Sequence, residues 1–188
     1  MKELQLPLQN KDMEDLRAGD AVSLSGEIYV ARDAAHKRFM EALSSGEELP
    51  FPLKGATLYY MGPSPARPGR PIGSAGPTTA GRMDLYTPRL LDLGLKAMIG
   101  KGRRSPEVLE AIKQNRAIYF SAVGGAGALL SKSILSAETI AYADLGAEAV
   151  LRLKVEKFPV IVAIDSRGHN IYDIAPQTYT RSPKSPIE

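Results

Sequence analysis

The sequence predicts an α/β fold: a layer of parallel strands carrying helices, with a second layer built from the early and late strands. Three observations lead there. Short apolar runs at Ala56–Met61, Lys96–Gly100 and Ala117–Val123 alternate with helical patterns, the signature of βαβ units. Such runs suit strands buried on both faces, as parallel strands are. The chain has 188 residues and 44% hydrophobic content, enough for one sizeable core, so a single domain over 1–175 is expected, followed by a polar, frayed tail at 176–188.

Taken in order, Ala21–Tyr29 has β-branched residues in partial alternation and reads as a strand, or as a hairpin pair turning at Ser25-Gly26. Asp33 is placed to cap a helix through about Leu43, with Ala35, Phe39 and Leu43 on one stripe and Gly46 as its stop. Arg32 then sits at a strand-to-helix junction. After Ala56–Met61 comes GPSPARPGRPIGSAGP, too long and too rich in Pro and Gly for an ordinary turn; it reads as a surface loop able to close over a site.

A helix is expected at about Ala80–Leu93. Pro88 would lose a hydrogen bond in its middle, so Thr87 should cap a second piece with Pro88 at its first position. A strand at Lys96–Gly100, a helix at Pro106–Asn115, a strand at Ala117–Val123 and a short helix from GGAGALLSKS follow. Gly124–Gly127 fits neither the dinucleotide nor the P-loop spacing and reads as a tight turn. The last strand-like segments are Glu138–Asp144, Val150–Val155 and Val160–Ile164.

Composition limits the chemistry. With 24 basic and 21 acidic residues the net charge is +3 and the pI about 9.1, without the clustered basic and aromatic pattern of a nucleic-acid face. No apolar run approaches the roughly 20 residues of a membrane span, and MKELQLPLQNKD has no signal-peptide core, so the expected location is the cytoplasm. Cysteine is absent and there are two histidines, His36 and His169, which leaves no set of cysteines or histidines for a metal site within the chain. His36 reads as a neutral, hydrogen-bonded imidazole in the first turn of its helix, and His169 as a turn residue. Arg67 and Arg70 read as solubilising loop residues, and Arg103 and Arg104 as solvated in preference to a partner or anion patch.

GPTTAGRMD, Gly76–Asp84, is more specific. An arginine in the first turn of a helix faces the positive end of the dipole, which is unfavourable unless an anion is bound there. Thr78 or Thr79 could cap that helix, leaving the other hydroxyl free for a ligand. Arg32, Arg82 and Lys101 all fall at element junctions, and their convergence would suit a ligand with two carboxylates.

The segments ARDAAHKRF (Ala31–Phe39), GPTTAGRMD, GKG (Gly100–Gly102) and YFSAVGGAGALL (Tyr119–Leu130) resemble the β subunit, or C-terminal domain, of class I fumarases and the related L-tartrate dehydratases. The resemblance runs from about Leu4 to Tyr172. It implies a three-layer swivelling β/β/α domain with a parallel central sheet and a second, smaller sheet. It also implies half of a hydro-lyase site, hydrating fumarate to (S)-malate or, in the alternative, dehydrating L-tartrate. A 4Fe-4S cluster would sit on three cysteines of a partner α subunit, none of it in this chain, in a two-plus-two heterotetramer. Carried over by motif, Arg32, Arg82 and Lys101 become substrate-binding groups and Thr78 the group that moves a proton at the carbon beside the leaving hydroxyl. A threonine hydroxyl is a weak base, so it needs either a neighbouring carboxylate, on the partner or locally at Asp84, or local cationic stabilisation of its alkoxide, although orienting an arginine is the commoner role for an acid such as Asp84. Self-association of the isolated chain through the face meant for the partner stays open. A non-catalytic module that binds an anion or a partner is the rival from another class.

Overall fold

The computed structural model describes residues 1–179. Its strands are β1 (Lys2–Gln5), β2 (Ala21–Val30), β3 (Thr57–Tyr59), β4 (Ala97–Gly100), β5 (Ile118–Ser121), β6 (Ile134–Ala141) and β7 (Val150–Ile164). The helices are α1 (Asn10–Asp15), α2 (Asp33–Ser44), α3 (Thr87–Asp92), α4 (Pro106–Asn115), α5 (Gly127–Leu130) and α6 (Ile171–Tyr179). Residues 180–188, most of the expected polar tail, lie outside the described residues.

β2, β3, β4 and β5 run parallel in sequence order, connected by α2, α3 and α4, as the alternating pattern predicts. β7 pairs antiparallel with β5 on one edge and with β2 on the other, so five strands close on themselves like a barrel. β1 adds to β2, and β6 to β7. The expected parallel central sheet is therefore corrected: the sheet is mixed, because β7 is long enough to bridge both ends of the parallel layer. The early and late strands build the second β layer, and α2, α3 and α4 cover the outer face of the parallel one, an arrangement consistent with a swivelling β/β/α domain.

Two cores follow from these layers. Between the β layers lie Leu24, Ile28, Tyr59, Ile99, Phe120, Leu153 and Phe158; between the parallel strands and the helices lie Phe39, Leu58, Tyr60, Met98, Ile112 and Tyr119. β3 and β4 are buried along their whole length, which is why they read as uninterrupted apolar runs.

Two further expectations change. Ser25-Gly26 is no hairpin turn; β2 is one strand with a bulge there, paired with β7 throughout. Gly26 has φ +130°, and a Cβ on it would meet the Leu6 carbonyl oxygen at 2.9 Å, so the residue marks a close chain crossing. Val150–Val155 and Val160–Ile164 are likewise the two halves of β7. α4 spans the residues expected, with the Val108 N–H donating to Ser105 Oγ at 3.4 Å and Pro106 in its first turn.

Candidate active site

The carboxyl ends of β2, β3 and β4 lie side by side, and all four sequence-predicted site residues are at that end. Val30 leads through Ala31 into Arg32; the Ala31 N–H donates to the Tyr59 carbonyl at 3.2 Å. β3 leads into the Pro-rich loop, which leaves at Met61 and returns at Pro77, where those two residues form an isolated bridge. The returning chain then slots in beside the strands. The Thr78 N–H donates to the Tyr60 carbonyl at 2.7 Å, and the Lys101 N–H donates to the Thr78 carbonyl at 3.1 Å. Thr78 and Lys101 are thus joined by backbone.

Arg32 and Arg82 are joined by a carboxylate. Arg82 Nε donates to Asp33 Oδ1 at 2.8 Å, and Asp33 Oδ2 lies 3.9 Å from Arg32 Nε. The Arg82 side chain is half exposed, whereas that of Arg32 is only 20% exposed and lies across Gly62. Among the described residues the Lys101 ammonium and the Thr78 hydroxyl make no hydrogen bond or ion pair; Lys101 is exposed and Thr78 half-buried. The result is three cations and a free hydroxyl around one sheet end.

The reason offered for Arg82 does not hold. No helix starts at Ala80: Ala80–Met83 is one 3-10 turn, Arg82 is in its last turn, and Thr79 at the cap position makes no side-chain cap bond. A single turn has little dipole, so its charge is set by Asp33 instead. α3 begins one residue earlier than expected, at Thr87 with Tyr86 at the cap position, because Thr87 Oγ1 is turned inward to donate to the Met83 carbonyl at 2.8 Å.

Asp84 is committed as well. Its Oδ1 accepts from Arg104 Nε at 2.7 Å and its Oδ2 from the Ser105 N–H at 2.7 Å. The solvated reading of Arg104 is overturned: its side chain is fully buried, over the Tyr60 and Tyr119 rings, and its Nη2 donates to Thr87 Oγ1 at 2.8 Å. Asp84 does orient an arginine, but that arginine is Arg104 rather than Arg82.

His36 is fully buried in the first turn of α2, its Nδ1 2.7 Å from the Arg32 carbonyl oxygen. Burial lowers its pKa to about 4, against the opposing pull of that carbonyl, so the ring is neutral. His169 sits after a turn, its Nδ1 2.9 Å from Asp165 Oδ2. Among the described residues no group of three His, Cys, Asp or Glu could hold a metal, and no helix is long and apolar enough to cross a membrane.

Sequence reasoning missed Asp33 as a bridge and Glu148 altogether. Asp33 was visible as a helix-start acid. Glu148 had no local signal, since it reaches α2 from 114 residues away to accept the Ala34 N–H at 2.8 Å.

Residues 2–175 match the model of the fumarase C-terminus family, and the chain belongs to it. Among its relatives, the anaerobic class I fumarate hydratase of Escherichia coli is 40% identical over 153 residues, 80% of this chain and 28% of that protein. Fumarate hydratase 2 of Leishmania major is 40% identical over 156 residues, again 28% of its length. A Methanocaldococcus jannaschii protein named "Putative L(+)-tartrate dehydratase subunit beta" is 39% identical over 172 residues, 88% of each chain. The chain therefore spans little more than a quarter of the fumarate hydratases and nearly all of the β subunit.

Proposed function

We propose that this chain is the β subunit of an iron-sulfur-dependent hydro-lyase that hydrates fumarate reversibly to (S)-malate, acting with a partner that corresponds to the rest of the longer relatives. The observation that carries the reading is the grouping of Arg32, Arg82, Lys101 and the free Thr78 hydroxyl at one sheet end. Leu85 and Val123 follow the site turn and β5, Leu129 lies on α5, and all three are well exposed, at 86%, 61% and 59%, which suits a face that a partner covers.

The chain has no cysteine and no metal-ligating group of three among its described residues, so a cluster on three cysteines fits the partner and not this chain. When bound there, such a cluster supplies a Lewis acid for the substrate's hydroxyl and carboxylate.

The residues of this chain divide the remaining work. Arg32 and Arg82 take the carboxylates of a four-carbon dicarboxylate, each guanidinium offering a planar fork. Thr78 carries the proton at the carbon beside the leaving hydroxyl. Removing that proton builds negative charge next to a carboxylate, which Arg82 and Lys101 stabilise at a few kcal/mol per donor, about 3. Both oxygens of Asp84 are occupied by Arg104 and the Ser105 N–H, which leaves activation of Thr78 to a carboxylate of the partner or to cationic stabilisation of its alkoxide. Lys101, joined to Thr78 through the backbone, favours the alkoxide electrostatically.

The test is anaerobic co-purification with the natural partner, followed by assays with fumarate, malate and L-tartrate. Turnover of fumarate and malate supports the reading; an inactive complex, or a partner equally active alone, sinks it. A tartrate-specific complex would instead support the second reading, L-tartrate dehydratase, which the end-to-end match to a β subunit favours.

A further inference from the structure

We infer that Glu148 is a positioning residue for Arg32; this rests on the proposed role of Arg32 as a dicarboxylate ligand. Glu148 ends the 3-10 segment Ala143–Glu148 that packs against the start of α2. α2 has no side-chain cap of its own, because the cap position is held by Arg32. Glu148 supplies one from across the fold: its Oε2 accepts the Ala34 N–H at 2.8 Å, and a carboxylate is favoured at a helix N-terminus. With one oxygen fixed, Oε1 is presented 3.5 Å from Arg32 Nη2.

The other contacts of Arg32 leave this one decisive. Its carbonyl is held by the His36 N–H at 2.9 Å and by the His36 ring at 2.7 Å, and its side chain is laid across Gly62. Those contacts fix the backbone and the arm, not the rotation of the guanidinium. Arg32 Nε is buried without a hydrogen-bond partner, and so is Asp33 Oδ2 at 3.9 Å from it. Glu148 is thus the nearest anion to the outer edge of the fork, and its attachment to α2 makes it a fixed one. A fixed charge pre-orients the fork, and pre-orientation lowers the cost of binding a carboxylate.

A residue that merely caps α2 would behave differently from one that also orients Arg32, and Glu148→Gln separates the two. The amide oxygen still accepts the Ala34 N–H, while the charge facing Arg32 is gone; Glu148→Ala removes both. In the full chain labelled with 15N-arginine, the Arg32 Nε–H signal should be sharp in the wild type. In Glu148→Gln it should broaden, with a melting temperature within about 2 °C of wild type, whereas Glu148→Ala should also melt lower. In the complex with the partner, Glu148→Gln should raise KM for fumarate about tenfold with kcat changed less than about twofold, because oriented binding is lost alike in ground and transition states. A sharp Arg32 signal and wild-type KM in Glu148→Gln would overturn the inference and leave Glu148 as a cap. A broadened signal beside a wild-type complex inactive on every dicarboxylate would support the pairing and refute the hydro-lyase reading instead.

Discussion

Gly62→Ala tests the site through a residue with no side chain of its own. A Cβ built at Gly62 would lie 2.2 Å from Arg32 Nη1, 3.1 Å from its Cδ and 3.2 Å from its Cζ. All three atoms belong to a flexible arm, and Gly62 does not occupy the left-handed region that alanine resists, so the backbone can stay where it is. Arg32 must swing out instead, and it leaves the neighbourhood of Glu148, now 3.5 Å away. A charge-assisted contact to a substrate carboxylate is worth about 2 kcal/mol, so its loss corresponds to about thirtyfold in kcat/KM. The assay pairs steady-state kinetics of the assembled enzyme with thermal melting of the chain, which should shift by less than about 4 °C, the equivalent of about 1 kcal/mol in a protein of this size. Wild-type kcat/KM in a normally assembled Gly62→Ala complex would refute the placement of Arg32 against the substrate.

Three further outcomes are expected. Arg82→Lys keeps the charge but cannot both donate to Asp33 and fork onto a carboxylate, so kcat should fall about 100-fold; near-normal turnover would exclude Arg82 as a clamp. In Thr78→Ala, hydrogen–deuterium exchange at the substrate carbon should collapse while the partner cluster's spectrum is unchanged, and persistent exchange would exclude Thr78 as the proton carrier. The folded-state pKa of His36 is lowered from 6.5 to about 4, so the unfolded chain binds a proton that the folded chain refuses, and stability falls as pH drops from about 6.5 to 4. The loss is of order 3 kcal/mol; urea unfolding across that window should show it in the wild type and a shallower dependence in His36→Gln.

The parallel layer was legible because both faces of β3, β4 and β5 are buried by helices or by the second β layer, which writes unbroken apolar runs into the sequence. Barrel closure was not. It depends on β7 pairing with β2 and β5 at once, and nothing in VLRLKVEKFPVIVAI distinguishes one bent strand from two. Gly26 misled for a related reason: a glycine where chains cross looks like a glycine in a turn until the crossing partner, Leu6, is known. α4, whose cap and first-turn proline are both local, was legible to the residue.

At the site, charge type was legible and charge pairing was not. Arg32 and Lys101 were expected at junctions and are there, whereas Arg82, expected at a helix start, lies in a 3-10 turn; which acid holds which arginine is a tertiary fact: Asp33 holds Arg82, and Asp84 holds Arg104. This pairing matters for the proposed chemistry. The buried Arg104–Asp84 pair is neutral as a unit, so the charges left at the sheet end are those of Arg32, Arg82 and Lys101 against Asp33 and Glu148. That sum is a single positive charge. A dicarboxylate would reverse it, and a carbanion forming next to one of its carboxylates would add further negative charge. On the proposed reading, further positive charge brought by the partner subunit would favour both binding and proton removal on this surface.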